Sequence, residues 1–179
     1  KEQQESTFSD SSILELTAAY ARSGFFDDAS RMIELVKEDT DSDHRRIFER
    51  SIPRTIYYEQ MARGHVDDAF KTAQEMGANL TGFYTQKALI EARKGEDPMD
   101  TIAHARTLLG DSAQKTYVFQ EIYPVLGTAL ALSGSEEAAT QQFASIYEAM
   151  EHMDNFNKFD TGIALAEAID ESGYDAEGI

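Results

Sequence analysis

The stretch AAYARSGFFDDA, residues 18–29, decides how this sequence folds. A run of small residues ends at a glycine, and two acidic residues follow shortly after it. The same arrangement returns as EQMARGHVDDA at 59–69 and as ALALSGSEEA at 129–138. Weaker copies contain Gly95 and Gly173, so the glycines of the five copies are 40, 31, 39 and 39 residues apart. A motif that recurs at such intervals is typical of helical repeat proteins.

Each copy has the residues that end one helix and begin the next. Glycine adopts the left-handed backbone conformation that closes a helix, because it has no Cβ. The sequence places Asp27, Asp67, Asp97 and Ser135 where a side chain can cap the next helix by accepting its free N–H groups. Pro98 suits the first helical position, since the amide hydrogen that it lacks has no partner there. We therefore predict a helix–turn–helix unit around each copy.

The segment after each turn has one apolar stripe at helical spacing. Ala29, Met32, Ile33 and Val36 lie at i, i+3, i+4 and i+7, which is one face of a helix. The stripe returns in later copies at Ala69, Ala73, Met76, Ile102, Ala105, Leu109, Ala139, Phe143, Ile146 and Met150. No window alternates apolar and polar residues long enough to make a convincing strand, so the sequence predicts an all-α fold.

The helices that precede the turns also align. Residues 45–64 and 115–134 superpose without a gap, and Pro53 and Pro124 fall one position apart in this alignment. We expect each proline to kink or to start its helix. The predicted organisation is a disordered or extended segment at 1–8 and a single repeat domain at 9–179. Its units are at about 9–40, 43–79, 80–112, 113–152 and 153–179.

These residues resemble the tetratricopeptide-repeat (TPR-like) superfamily. The Gly-x-x-x-x-Ala spacing of that family occurs at Gly24 and Ala29, Gly64 and Ala69, and Gly134 and Ala139. Tyr20 is where the family often has tyrosine, and Ile33 and Phe143 are at its phenylalanine position. The resemblance implies a right-handed α–α superhelix (solenoid) of about 4.5 helix–turn–helix repeats. It also implies that the first helices of successive units line a concave groove that captures peptides.

The residues that would line such a groove follow from counting back from the turn glycines. They are Arg22, Arg54, Tyr58 and Arg93, with Tyr57, Tyr84, Gln86 and Tyr123 nearby on the first helices. Arginines and tyrosines on an inner face would suit an acidic or carboxylate-bearing peptide, through forked hydrogen bonds and stacking. A purely structural role for these arginines and tyrosines stays open. A cation in the last turn of a helix is stabilised by the helix dipole, and tyrosines at helical spacing often pack half-buried.

Composition narrows the classes of partner. The 33 acidic and 16 basic side chains give a net charge of −17, which repels nucleic acid and anionic lipid and favours cationic partners. Solubility or a salt-rich habitat would produce the same excess. The longest apolar stretch, near 125–132, is broken by Gly127 and Thr128, so we predict no membrane span.

The residue types needed for metal or covalent chemistry are scarce. Cysteine is absent, and His44, His65, His104 and His152 are isolated in the sequence. Residues 39–43 resemble the first half of a calcium loop, but His44 and Arg50 stand where the loop requires glycine and glutamate. A solvated acidic linker explains them better. No nucleophile or phosphate-binding motif occurs, so we expect no enzyme activity, metal or cofactor.

The sequence therefore predicts a non-catalytic scaffold that binds a peptide or a partner helix in its concave groove. The alternative is a structural or regulatory repeat segment of a larger exported or signalling protein, because the chain begins at Lys1 and its fifth unit is unfinished. Self-association through the terminal repeats is a third hypothesis. The cytoplasm and, after removal of a signal, the periplasm or exterior are equally compatible locations.

Overall fold

The computed structural model describes residues 10–35, 42–77 and 80–173, and all its regular elements in these ranges are helical. The all-α class is thereby confirmed for the described residues. The segment predicted as disordered at 1–8, the acidic loop at 39–41 and the last residues of the fifth unit at 174–179 lie outside them.

Nine α-helices lie in the described ranges: α1 Asp10–Ser23, α2 Phe26–Arg31, α3 Ser42–Ala62, α4 Val66–Glu75, α5 Leu80–Arg93, α6 Met99–Leu109, α7 Tyr123–Leu132, α8 Glu136–Met150 and α9 Asn155–Ser172. Shorter 3₁₀ segments follow two of them, at Met32–Leu35 and Gly110–Ser112. A π-helical turn at Val118–Ile122 precedes α7. Within the described residues, no helix is both long and apolar enough to cross a membrane.

The chain divides into two compact units, Lys1–Asn79 and Leu80–Ile179. In unit 1, α1 packs on α2 and α3, and α3 packs on α4. In unit 2, α5 packs on α6 and α7, and α7 packs on α8 and α9. We use the term first helices for the helices that each precede a turn glycine, namely α1, α3, α5, α7 and α9. Within each unit, therefore, successive first helices lie against each other.

The predicted apolar stripes form much of the two cores. Nine of their members are buried: Ala29, Ala69, Ala73, Ile102, Ala105, Leu109, Ala139, Phe143 and Ile146. Met32, Met76 and Met150 are half-buried at the edges of the cores. Val36 and the side chain of Ile33 lie outside the described part. The helical period was thus a correct guide to the inner faces of the second helices.

The turn glycines adopt the predicted left-handed conformation. Their φ angles are +85° at Gly24, +82° at Gly64, +75° at Gly95, +79° at Gly134 and +64° at Gly173. After Gly24, the Phe25 amide donates to the Tyr20 carbonyl at 2.9 Å, and the residues after Gly64, Gly95 and Gly134 make the corresponding bond. This pattern satisfies carbonyl groups that would otherwise be unpaired at the helix end.

Two predicted helix caps are wrong. Helices α2 and α4 begin directly after Phe25 and His65, so Asp27 and Asp67 lie inside the first turn and no side-chain cap forms at either helix. The turns are shorter than expected, since one residue joins the glycine to the next helix. Both aspartates still interact favourably with the positive end of the helix dipole.

The other predicted caps have mixed outcomes. Asp97 does accept a hydrogen bond from the Met99 amide, at 3.0 Å, and Pro98 directly precedes α6. Ser135 occupies the N-cap position of α8, but its side chain makes no cap hydrogen bond. At α9 the cap is Asp154, which the sequence analysis did not identify.

The two aligned prolines have different local structures. Pro53 is buried inside α3, which continues through it as one helix. Pro124 lies in the first turn of α7, directly after the π-helical turn. The backbone stays helical from residue 116 through the π-helical turn into α7, so the aligned segments differ in helix type: α-helical in unit 1, and π-helical then α-helical in unit 2.

Helices α7 and α8 meet closely at a glycine. A Cβ atom built on Gly127 would lie 2.3 Å from Cε1 of Phe143, whose ring is fully buried. Only a residue without a side chain allows the ring to lie against the backbone of α7.

Candidate functional site

Two of the predicted groove arginines interact with carboxylates of their own unit. The Arg22 Nε lies 4.0 Å from a Glu59 carboxylate oxygen, and its carbonyl accepts a hydrogen bond from Arg63. In unit 2, the guanidinium of Arg93 binds the carboxylate of Glu171 on α9. Both arginines therefore already have an internal acidic partner.

A second group of predicted residues lies together on α3. The Arg54 Nε donates to the Tyr58 hydroxyl at 3.2 Å, and the guanidinium carbon lies 5.3 Å from the centre of the Tyr58 ring. Tyr57 packs edge-on against Tyr58 at 4.7 Å but is only 2% exposed. Burial makes Tyr57 part of the core, so its predicted place on a binding surface is corrected.

The remaining predicted residues lie in unit 2. Tyr84 is half-buried, with its ring centre 4.2 Å from that of His104 on α6, and Gln86 is half-buried on the same helix, α5. Tyr123 packs edge-on against Phe119 of the π-helical turn at 5.2 Å. The structure thus brings Arg54 and Tyr58 together, whereas Tyr84 faces the second helix of its own pair.

Unit 2 has a polar cleft of about 500 Å³ between α6 and α8. It is lined by Arg106, Gln114, Phe119, Tyr123, Gln142, Ser145, Glu148, Ala149 and His152. We call it the unit 2 cleft. Tyr123 is the predicted groove residue that lines it.

A chain of hydrogen bonds crosses the wall of the unit 2 cleft. The Arg106 guanidinium donates to the Gln142 amide oxygen at 2.7 Å, and the Gln142 amide nitrogen lies 3.4 Å from the Ser145 hydroxyl. Gln142 is only 6% exposed. Because an arginine satisfies its oxygen, this buried amide is stabilised by a charge-assisted hydrogen bond.

Unit 1 has a cleft of about 530 Å³ between α2 and α4, with α3 beneath it. It is lined by Phe26, Asp27, Ser30, Gln60, Asp68, Lys71, Thr72, Glu75 and Met76. We call it the unit 1 cleft. Gln60 is also 6% exposed, but its Oε1 atom is buried without a hydrogen-bond partner in the part of the chain that is described.

Helix α9 carries a row of large apolar side chains in solvent. Phe156 is 74% exposed, Phe159 is 67% exposed and Ile163 is 44% exposed. Their spacing of i, i+3 and i+7 places them on one face, which we call the outer face of α9. The buried residues of α9 are Thr161, Leu165 and Ala168, on the opposite face. Helical spacing alone could not reveal this exposure, since the same pattern is typical of a core.

Among the described residues, one side chain has a clearly shifted pKa, and it is Asp154 at the N-cap of α9. Backbone and side-chain hydrogen bonds from Asn157, together with one from the Phe156 amide, lower the pKa of Asp154 below its ordinary value of 3.8. These bonds stabilise the charged carboxylate and fix the start of the helix that carries the outer face.

The described residues contain no group of three or more His, Asp or Glu side chains placed to hold a metal ion. The acidic loop that resembles half of a calcium site lies largely outside those residues. Comparisons of the chain with protein-family models, with curated proteins and with solved structures found no match.

Proposed function

We propose that this protein is a non-catalytic interaction scaffold, in which TPR-like helix pairs continue as a solenoid and a partner helix docks on the outer face of α9. The observation that carries the proposal is the row of Phe156, Phe159 and Ile163, which are large, apolar and exposed. Aligned apolar side chains of this size in solvent are typical of an interaction surface.

The order of the first helices explains why this face is available. Helix α7 packs on α5, α8 and α9, and its residues 126–130 are all buried. Helix α9 packs on α7 and α8, through the face that contains Leu165. Helix α7 lies between α5 and α9. A further helix on the outer face would place α9 in the same way between two helices.

The apolar contribution of such a contact is moderate. Complete burial of a phenylalanine or isoleucine side chain contributes about 1.5–3 kcal/mol. Three partly exposed side chains together offer on the order of 5 kcal/mol, part of which offsets the entropy lost on association. Polar contacts at the edge of the row must therefore add to the affinity and select the partner.

Charge indicates the chemistry of the partner. Asp160, Glu167 and Asp170 lie on or beside the outer face in the helical order of α9, and the whole chain carries a net charge of −17. The occupant that we propose is an amphipathic helix with one apolar stripe flanked by lysine and arginine. Such a helix would bury the apolar row and bring cations to the acidic flank.

The test compares synthetic helices by titration calorimetry. We expect a basic-flanked amphipathic helix to bind, and an acidic-flanked helix with the same apolar stripe to bind much more weakly. A basic helix with its apolar residues scrambled is the control for charge alone. Equal binding of the scrambled helix would contradict docking on an apolar face.

Variants locate the contact. The double substitution Phe156→Ser and Phe159→Ser should weaken the basic-flanked helix by about tenfold or more, because roughly 1.4 kcal/mol of lost contact corresponds to tenfold. Phe25→Ser is the matched control, since Phe25 is an exposed phenylalanine of unit 1. Unchanged affinity in the double variant would show that the helix binds elsewhere.

A further inference from the structure

We propose that the unit 2 cleft binds a free amino acid with an aromatic or large apolar side chain. In this complex Arg106 binds the carboxylate of the amino acid, and Glu148 binds its ammonium group. The side chain of the amino acid packs on Phe119 and Tyr123. This site is separate from the outer face of α9 and does not rest on the proposed function.

Arg106 provides a positioned cation in the wall of the cleft. Its guanidinium donates to the amide oxygen of Gln142 at 2.7 Å, and Gln142 is only 6% exposed. In the described part of the chain Arg106 forms no ion pair, although the sequence has 33 acidic side chains. A guanidinium has five N–H donors, so others remain for the carboxylate of a ligand. Because Gln142 already holds the group, less side-chain entropy is lost on binding.

Glu148 provides the opposite charge in the same cleft. It is exposed on α8, and its carboxylate also forms no ion pair within the ranges that the structure describes. A ligand with only a negative charge would be repelled by Glu148, and one with only a positive charge by Arg106. A zwitterion, which carries both charges, is complementary to both residues.

The spacing of the two charges suits the headgroup of an amino acid. Glu148 is six residues after Gln142 on α8, which corresponds to about 9 Å along the helix axis. Two hydrogen bonds of about 2.9 Å with an amino acid headgroup between them span a similar distance. The volume of the cleft, about 500 Å³, is also in the range of small-molecule sites.

The π-helical turn supplies the apolar wall. Phe119 lies in this turn, Tyr123 directly follows it, and both line the cleft. Turns of this type are rare and occur frequently at functional sites, so the turn is an observation independent of the charges. The two rings pack edge-on at 5.2 Å and offer an aromatic surface to an apolar side chain of the ligand.

Titration calorimetry on the full chain, with L-phenylalanine as the probe, tests the site. The measurement is made at about pH 6, where the α-amino group is protonated. N-acetyl-phenylalanine retains only the negative charge, and phenylalanine amide retains only the positive one. We expect phenylalanine to bind and each analogue to bind at least about tenfold more weakly, because hydrogen bonds to charged groups are the stronger ones. Glycine, which has both charges and no side chain, should also bind about tenfold more weakly.

A substitution at an exposed position locates the site without disturbing the core. Glu148→Gln should weaken phenylalanine about fivefold and should not weaken N-acetyl-phenylalanine, because the lost charge contacts only the ammonium group. Glu151→Gln is the matched control, since Glu151 is an exposed acid nearby that does not line the cleft. It should leave both affinities unchanged. Absence of phenylalanine binding, equal binding of either analogue or of glycine, or unchanged phenylalanine affinity in Glu148→Gln would overturn the proposal.

Discussion

Helices α7 and α9 are both first helices of unit 2, yet they differ in how they meet solvent. Residues 126–130 of α7 are all buried, whereas α9 is buried on one face and exposes Phe156, Phe159 and Ile163 on the other. The two helices are linked by a side-chain hydrogen bond, since the Thr128 hydroxyl of α7 donates to the Ala168 carbonyl of α9 at 3.2 Å. The place of a helix in the packing order, more than its apolar content, decides which of its faces are covered.

The largest expected effect is at the closest contact of α7. Gly127→Ala should destabilise the protein by about 3 kcal/mol, because the new methyl group would lie 2.3 Å from the fully buried Phe143 ring, so that the ring or the helix must shift to relieve the overlap. Chemical denaturation would measure the change in the free energy of unfolding.

Helix α9 provides the matched control for that substitution. A Cβ on Gly162 would lie 3.3 Å from the flexible end of Met150, so Gly162→Ala should be neutral or stabilise by up to about 1 kcal/mol through helix propensity. Equal losses in the two variants would mean that α7 is not packed more tightly than α9.

The next-largest expected loss of stability distinguishes the buried face of α9 from its outer face. Leu165→Ala should cost about 2 kcal/mol, because the side chain is buried in the unit 2 core. Ile163→Ala on the outer face should cost about 0.5 kcal/mol, since this side chain is already largely in solvent. Similar costs at both positions, measured by denaturation, would show that the outer face is covered.

A smaller effect is expected at the start of α9. Asp154→Ala should lower the midpoint of thermal unfolding at neutral pH, because the carboxylate accepts hydrogen bonds from the Phe156 and Asn157 amides. The hydrogen bonds from Asn157 and Phe156 lower the pKa of Asp154 in the folded state, so its contribution is complete above the ordinary value of 3.8. The contribution is lost as the pH falls through the lowered pKa.

Thermal melts of the wild type and of Asp154→Ala over this pH range would test the sign. The difference between their midpoints should be largest at neutral pH and should shrink below pH 3.8. A difference that grows on acidification would mean that the protonated form of Asp154 is the better cap.

The sequence predicted the helical fold well because its signals are local. Each turn depends on a glycine such as Gly24 with a positive φ, and each second helix on a short-range apolar stripe. The caps assigned to Asp27 and Asp67 were wrong because the exact length of a turn decides which residue caps the helix. Two aligned prolines also gave no sign that only Pro124 would follow a π-helical turn.

The candidate sites were less predictable because they depend on contacts between distant segments. Nothing local indicates that Arg106 satisfies Gln142, 36 residues away, while the Gln60 Oε1 atom has no hydrogen-bond partner among the described residues. Tyr57 and Tyr58 are adjacent in the sequence, yet only Tyr57 is buried in the core. The apolar spacing in α9 predicts a face of a helix, but the packing order of the helices decides whether that face meets solvent.

The smallest expected change in stability gives the most direct test of the outer face of α9. Denaturation of the Phe156→Ser and Phe159→Ser double variant, without any partner, should give a free energy of unfolding within about 0.5 kcal/mol of the wild type, because both side chains are exposed. A loss of about 2 kcal/mol or more would show that these phenylalanines are buried within the protein itself. That result would contradict their proposed role as a docking surface.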